Sequence, residues 1–153
     1  LDNKDGNSLF YQQEISHLSG MKAININSVD SLGYAKKAKY EVLTVPVLRL
    51  ETFLSNNGLS KVDVLKIDVQ GYEENVLLGS ISALKNISCI QIEISLYDFY
   101  GETKGLFPVE SIMSKNNFEL YDISKLSKNP KNLRTDWIEC IYRNKGIPGA
   151  VVG

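Results

Sequence analysis

The sequence predicts an α/β domain with parallel core strands and a final antiparallel strand. Three observations carry this. Val62–Ile67 (V-D-V-L-K-I) and residues 89–94 (C-I-Q-I-E-I) are apolar runs of strand length. Between them Val76, Leu77, Ile81 and Leu84 recur at helical spacing. The last apolar run, residues 137–142, follows a Lys- and Asn-rich loop with no helical pattern. A right-handed crossover makes the first two strands parallel neighbours, and a strand reached without a helix returns antiparallel.

The elements follow in order. Residues 1–41 read as irregular, with Leu9-Phe10-Tyr11 a short strand after an Asp5-Gly6 turn and a surface loop around Lys36, Lys37 and Lys39. Residues 42–47 form a β-branched strand whose Pro46 marks an end or an edge. Leu50, Phe53 and Leu54 make a short helix stopped by Asn57-Gly58. After the strand at 62–67, Gln70-Gly71 turns the chain into one helix over residues 72–85. The strand at 89–94 leads through Gly101 and Gly105 to a helix over 109–115 with Pro108 in its first turn. Residues 118–123 and 137–142 complete the strands. Both core strands look apolar on both faces, which predicts helices on each side of the sheet.

Composition bounds the function. The 153 residues suit one domain, and a net charge of -1 gives no bulk attraction to nucleic acid or anionic membrane. No apolar run approaches the ~18–20 residues of a membrane span. Two cysteines, Cys89 and Cys140, make neither a disulfide scaffold nor a four-thiolate zinc site, and both read as buried, reduced thiols. With a polar N-terminus and no signal-peptide core, this predicts a cytoplasmic location. His17, the one histidine, reads as an exposed loop residue, and Trp137 as core.

The polar groups that break the apolar pattern are the candidate site. Ligands of open α/β sheets bind beyond the carboxyl ends of the strands. Asp68 ends one core strand and Glu93 lies near the end of the next. Lys66 shares a face with Asp68 by strand alternation and keeps it ionised. Glu73 falls in the first turn of the following helix, where an anion is favoured. Each also has a structural alternative: Asp68 as a helix cap, Lys66 snorkelling to solvent, Glu73 as a helix N-terminal acid. Together they point to a site. Tyr97, Tyr100 and Tyr121 line a ligand pocket or serve surface or core packing. Oxygen ligands suit magnesium, but two carboxylates alone assign no metal.

Residues 66–73 (K-I-D-V-Q-G-Y-E), followed by N-V-L-L-G-S at 75–80, resemble the signature of FkbM-type methyltransferases, K-I-D-x-[EQ]-G-x-E with a V-L-x-G helix. Residues 47–54 resemble that family's V-x-x-L-D-x-x-L segment, with Glu51 in place of Asp. Residues 90–93 resemble its strand ending in Glu, and residues 118–123 its G-F-x-L-Y-x-I strand, with Asn117 in place of Gly. The similarity spans about residues 42–143. It implies a Rossmann-like class I sheet, S-adenosylmethionine (SAM) as cofactor, and methylation of a hydroxyl on a sugar or other small metabolite. Asp68 then serves as base or orienter, with Glu93 beside it, Lys66 holding it ionised and Glu73 partly structural.

The eleven glycines never form a G-x-G after an apolar strand, and residues 1–6 resemble the family segment just after its third strand. The motif order therefore predicts a partial domain over residues 1–145, the C-terminal, acceptor-side portion of the sheet, with no cofactor-binding residue assigned and residues 146–153 a tail. An edge left open at Val62–Ile67 predicts self-association. Two other readings stay open: a non-catalytic binding module, and a carboxylate-based hydrolase using Asp68 and Glu93.

Overall fold

The computed structural model describes residues 1–28, 37, 39–101 and 104–147. Residues 29–36 and 38, which hold most of the expected surface loop, and residues 148–153 of the tail lie outside the described residues. The elements are β1 (Gly6–Gln13), a single 3₁₀ turn (Ser16–Leu18), β2 (Tyr40–Val47), α1 (Leu50–Asn56), β3 (Val62–Ile67), α2 (Glu73–Leu78), α3 (Ile81–Leu84), β4 (Ile87–Ser95), α4 (Leu106–Lys115), β5 (Phe118–Lys128) and β6 (Thr135–Asn144).

The fold is α/β with a mixed sheet ordered β3-β4-β6-β5. As the crossover rule requires, β3 and β4 are parallel neighbours, pairing Val62 with Ile87 through Ile67 with Ile92. The last strand, β6, is antiparallel to both its neighbours, Ile92 facing Cys140 on β4 and Ile123 facing Cys140 on β5. Among the described residues β3 and β5 are the sheet's edges. Three register shifts interrupt β5, and bulges of this kind blunt an edge against further pairing. No such irregularity interrupts the β3–β4 pairing.

The core lies on one face of this sheet. Ile67, Ile90, Ile92, Ile94, Ile138, Cys140 and Tyr142 pack against Leu54, Val76, Leu77, Leu84, Val109 and Met113 from the helices. Each of the larger side chains contributes roughly 1.5–3 kcal/mol on burial. The opposite face carries Lys66, Gln91, Glu93 and Glu139, with Val64 exposed on β3. The expectation of helices on both faces is therefore corrected. The described helices cover one face, and alternation along β4 delivers its polar residues to the other.

Two further expectations change. The first 41 residues hold a full strand: β1 pairs antiparallel with β2 along its length, Gly6 opposite Val47 and Gln13 opposite Tyr40. Pro46 fits inside β2 because, among the described residues, β1 is the one strand beside it, so its missing N–H faces no second strand. The single helix over 72–85 is two, broken at Gly79-Ser80.

The break has a tertiary cause. The N-terminal segment crosses Gly79, where a Cβ would collide with the Asp2 carbonyl oxygen and lie 2.8 Å from the Asn3 Cα. Asp2 is fully buried there. Its backbone N–H donates to Leu48 O, and its carboxylate accepts from Ser8 Oγ at 2.7 Å and Tyr72 Oη at 2.9 Å. Burial opposes ionisation of Asp2, but the donors Ser8, the Asn3 N–H and Tyr72 hold its carboxyl below the usual range. Gly79→Ala is expected to cost about 1–3 kcal/mol, since backbone must move, and to lower Tm in a thermal melt. An unchanged Tm would mean that the crossing segment moves aside freely.

Candidate functional site

The turn after β3 and the end of β4 meet at one cavity. It has a volume of about 380 Å³ and both Asp68 and Glu93 line it. The register explains why: Lys66 pairs with Gln91 and Ile67 with Ile92, so Asp68 and Glu93 follow one step beyond. The cavity sits at the carboxyl ends of two parallel strands, as ligand sites of open α/β sheets do. Its other walls include Tyr97, Phe99 and Tyr100 from the loop after β4, Trp137 at the start of β6, and His17 and Leu18 from the 3₁₀ turn.

Asp68 does not cap α2, which has no side-chain cap. Its Oδ1 instead accepts a hydrogen bond from Gln70 Nε2 at 2.8 Å. Its Oδ2 lies 3.7 Å from Lys66 Nζ, an exposed ion pair of the kind worth little for stability.

Glu93 is half-buried, and its carboxyl is pushed up to about 7. Burial is the main cause; the neighbouring carboxylates of Asp68, Glu73 and Glu139 add to it, and Lys66 opposes it. Glu139 stands directly opposite Glu93 in the β4–β6 register. It behaves oppositely, because the Ser124 hydroxyl donates to it at 2.8 Å and Lys125 lies 3.7 Å away. These hold its carboxyl below the ordinary range against the cost of burial. One acid of the facing pair is thus kept ionised and the other is poised to hold a proton near neutrality.

Glu73 does not line this cavity. It is buried and its Oε1 accepts from the Gly71 N–H at 2.9 Å, bracing the turn that carries Asp68. Burial raises its carboxyl, and backbone N–H groups and Lys22 partly offset that. Its recess is a small neighbouring one, shared with Lys22 and Lys104. Lys66 reaches Asp68 from the exposed side and lines the groove along the edge of β3.

Of the tyrosines singled out, Tyr97 and Tyr100 line the cavity. Tyr121 does not; it lies on β5 with Arg143 over its ring at 5.2 Å. His17 is exposed, as expected, yet it stands at the cavity wall, and Trp137 is half-buried there rather than in the core. Glu139 and Gln70 are the residues that sequence reasoning passed over. An acid inside W-I-E-C-I-Y was the available signal for the first. Cys89 and Cys140 are buried free thiols, and burial pushes Cys140 up to about 11, so neither is a nucleophile.

Among the described residues, no cluster of three or more His, Cys, Asp or Glu could hold a metal ion. No described helix is long and apolar enough to cross a membrane.

The family model of the methyltransferase FkbM domain matches residues 1–120, most of the chain, including the turn after β3 and the strand β4 that bring Asp68 and Glu93 to the cavity. The chain belongs to the FkbM methyltransferase domain family. No curated protein and no solved structure gives a significant match. In this FkbM domain the turn over residues 68–72 brings Asp68 to the cavity, and β4 supplies Glu93.

Proposed function

We propose that this FkbM domain takes part in SAM-dependent O-methylation of a hydroxyl on a sugar or another small metabolite. In this reading it is the acceptor-side portion of a Rossmann-like class I sheet. One observation carries the proposal: Asp68 and Glu93 share a single cavity at the carboxyl ends of β3 and β4. The parallel β3–β4 pair with a returning antiparallel β6 supports the fold reading.

The acidic lining suits the cationic end of SAM. Asp68 and Glu93 are the residues that would face it, while no residue of this chain is assigned to the adenosine. Bound there, SAM supplies a methyl group already activated on a sulfonium. The protein's own work is then positioning and proton removal. Asp68 Oδ2, 3.7 Å from Lys66 Nζ, accepts the hydrogen bond of the acceptor hydroxyl and takes its proton. Glu93, whose carboxyl is pushed up to about 7, donates in its protonated form to an oxygen of the acceptor and then limits the negative charge in the cavity. Trp137, Tyr97 and Phe99 supply apolar walls against which a small acceptor packs.

Binding is tested by adding SAM at millimolar concentration to the ¹⁵N-labelled protein. Amide shifts are expected to cluster at Asp68, Gln70, Glu93, Ser95 and Trp137. Shifts confined to another face of the domain would reject this cavity as the site of the methyl group.

A further inference from the structure

Gln70 occupies an unusual place. Its backbone φ is 54°, a left-handed conformation that a residue with a side chain adopts at a cost. Gly71 follows at φ 86°, so two consecutive residues are held in this region. The turn could be made with less strain by glycine at both positions, so the side chain of Gln70 is where a return for that cost is to be sought.

That side chain spans two groups. Its Nε2 donates to Asp68 Oδ1 at 2.8 Å, and its Oε1 accepts from the Tyr100 hydroxyl. The direction of the chain is fixed by chemistry. A carboxylate only accepts, so the amide must present N–H to Asp68; its carbonyl then faces Tyr100, which must donate. Tyr100 remains a protonated donor because burial, with Glu93, Glu73 and Asp68 nearby, raises its hydroxyl above the usual range. Reversing the amide would set its carbonyl against the carboxylate.

Both ends are clamped by backbone. Tyr100 is buried, and its strand-like loop pairs with residues 23–25: Ile24 bridges Tyr100, the Gly101 N–H donates to Ala23 O, and the Asn25 N–H to Phe99 O. The Phe99 ring packs edge-on against that of Tyr100, 4.8 Å between centroids. On the other side Gly20 bridges Tyr11 of β1, and a Cβ added at Gly20 would lie 3.2 Å from the Gln70 Cβ. Gln70 is thus wedged between the loop after the 3₁₀ turn and the loop after β4.

We propose that Gln70 is a positioning residue: through Tyr100 and its own amide it fixes the Asp68 carboxylate in one rotamer, occupying Oδ1 and leaving Oδ2 for the acceptor hydroxyl. This rests on the methyl-transfer reading of Asp68 given above. The groups facing Asp68 are Lys66 from β3, Gln70 from the turn, Glu93 from β4 and Tyr100 from the following loop.

The test needs no acceptor. Side-chain amide NMR of the unliganded chain is expected to show the two Gln70 Nε2 protons resolved, exchanging with solvent about tenfold more slowly than those of the exposed Gln12. Tyr100→Phe and Asp68→Ala should each remove that protection. Side-chain couplings should show a single Asp68 χ1 rotamer in the wild type and averaging in Gln70→Leu and Tyr100→Phe, with the fold intact by circular dichroism. Gln70→Glu keeps the shape and the acceptor for Tyr100, so it would restore a merely structural role; averaging of Asp68 in this variant too is the expected result. Unprotected amide protons in the wild type, or one fixed Asp68 rotamer in all the folded variants, would overturn the inference. The methyl-transfer reading fails separately, if Asp68→Asn transfers methyl as fast as wild type, because that outcome leaves amide protection and rotamer in the wild type untouched.

Discussion

In a protein that carries the whole sheet, Asp68→Asn is expected to lower methyl transfer about 10²–10⁴-fold, the range that a lost general base commands, while leaving Tm nearly unchanged. Asn has the shape of Asp, and its carbonyl oxygen can still accept from Gln70 Nε2. What the fold loses is an ion pair to Lys66 at 3.7 Å, solvent-exposed on both sides and worth about 0–1 kcal/mol. What the chemistry loses is the only function an amide cannot perform, taking a proton from a hydroxyl at neutral pH. Initial rates with labelled SAM and thermal melts on the same preparations separate the two. A parallel loss of Tm would assign Asp68 to the fold; a rate within about twofold of wild type would remove it from the mechanism.

Glu93→Gln is expected to stabilise the fold above pH 7 and to impair the reaction. The carboxyl of Glu93 goes from an ordinary 4.5 to about 7 on folding. The native state therefore binds more protons than the unfolded chain between these values, and stability falls as pH rises through that window. The cost is absent below pH 4.5 and complete above pH 7. Gln has no proton to lose, so the variant escapes it. The gain at pH 8 should be about 1–3 kcal/mol, discounted for the half-exposed setting, and seen as a higher Tm; at pH 4.5 it should vanish. Melting curves across pH 4–8 read this directly. A gain that does not depend on pH would mean that Glu93 is destabilising by shape, not by charge. The protein keeps an acid that weakens it, a pattern found where function needs the group.

The core alternation was legible in the sequence because its signal is local. Val62–Ile67, the Val76–Leu77 stripe and the run at 89–94 each announce their element by period and length, and crossover handedness pairs the strands. The misses are long-range. β1 has only Leu9, Phe10 and Tyr11 as apolar markers, and what makes it a strand is its pairing with β2, 27 to 41 residues on. The helix break at Gly79 comes from Asp2, far away in the chain. The polar face of the sheet was misjudged because Val64 and Cys89 look like core, although Lys66, Gln91 and Glu93 on the same face mark it as the site's floor.

The site followed the same division. Asp68 and Glu93 could be placed together from strand ends alone. Glu139 could not, because its meeting with Glu93 depends on the register of β6, and that is set by pairing rather than by any local pattern. Glu73, read as partly structural within the same polar octapeptide, lies beyond a turn of positive-φ backbone and sets its carboxylate on the Gly71 N–H. Tyr100 and Gln70 gave no sequence signal as a pair; thirty residues separate them.

The most direct measurement is the fate of a labelled methyl group. A protein that carries this domain together with the cofactor-binding portion of the sheet, incubated with [methyl-¹⁴C]SAM and a panel of small hydroxyl compounds, is predicted to yield label in an acid-stable O–CH₃ group, with Asp68→Asn yielding at least a hundredfold less. Release of cleaved acceptor without label, or equal labelling by wild type and Asp68→Asn, would contradict the account.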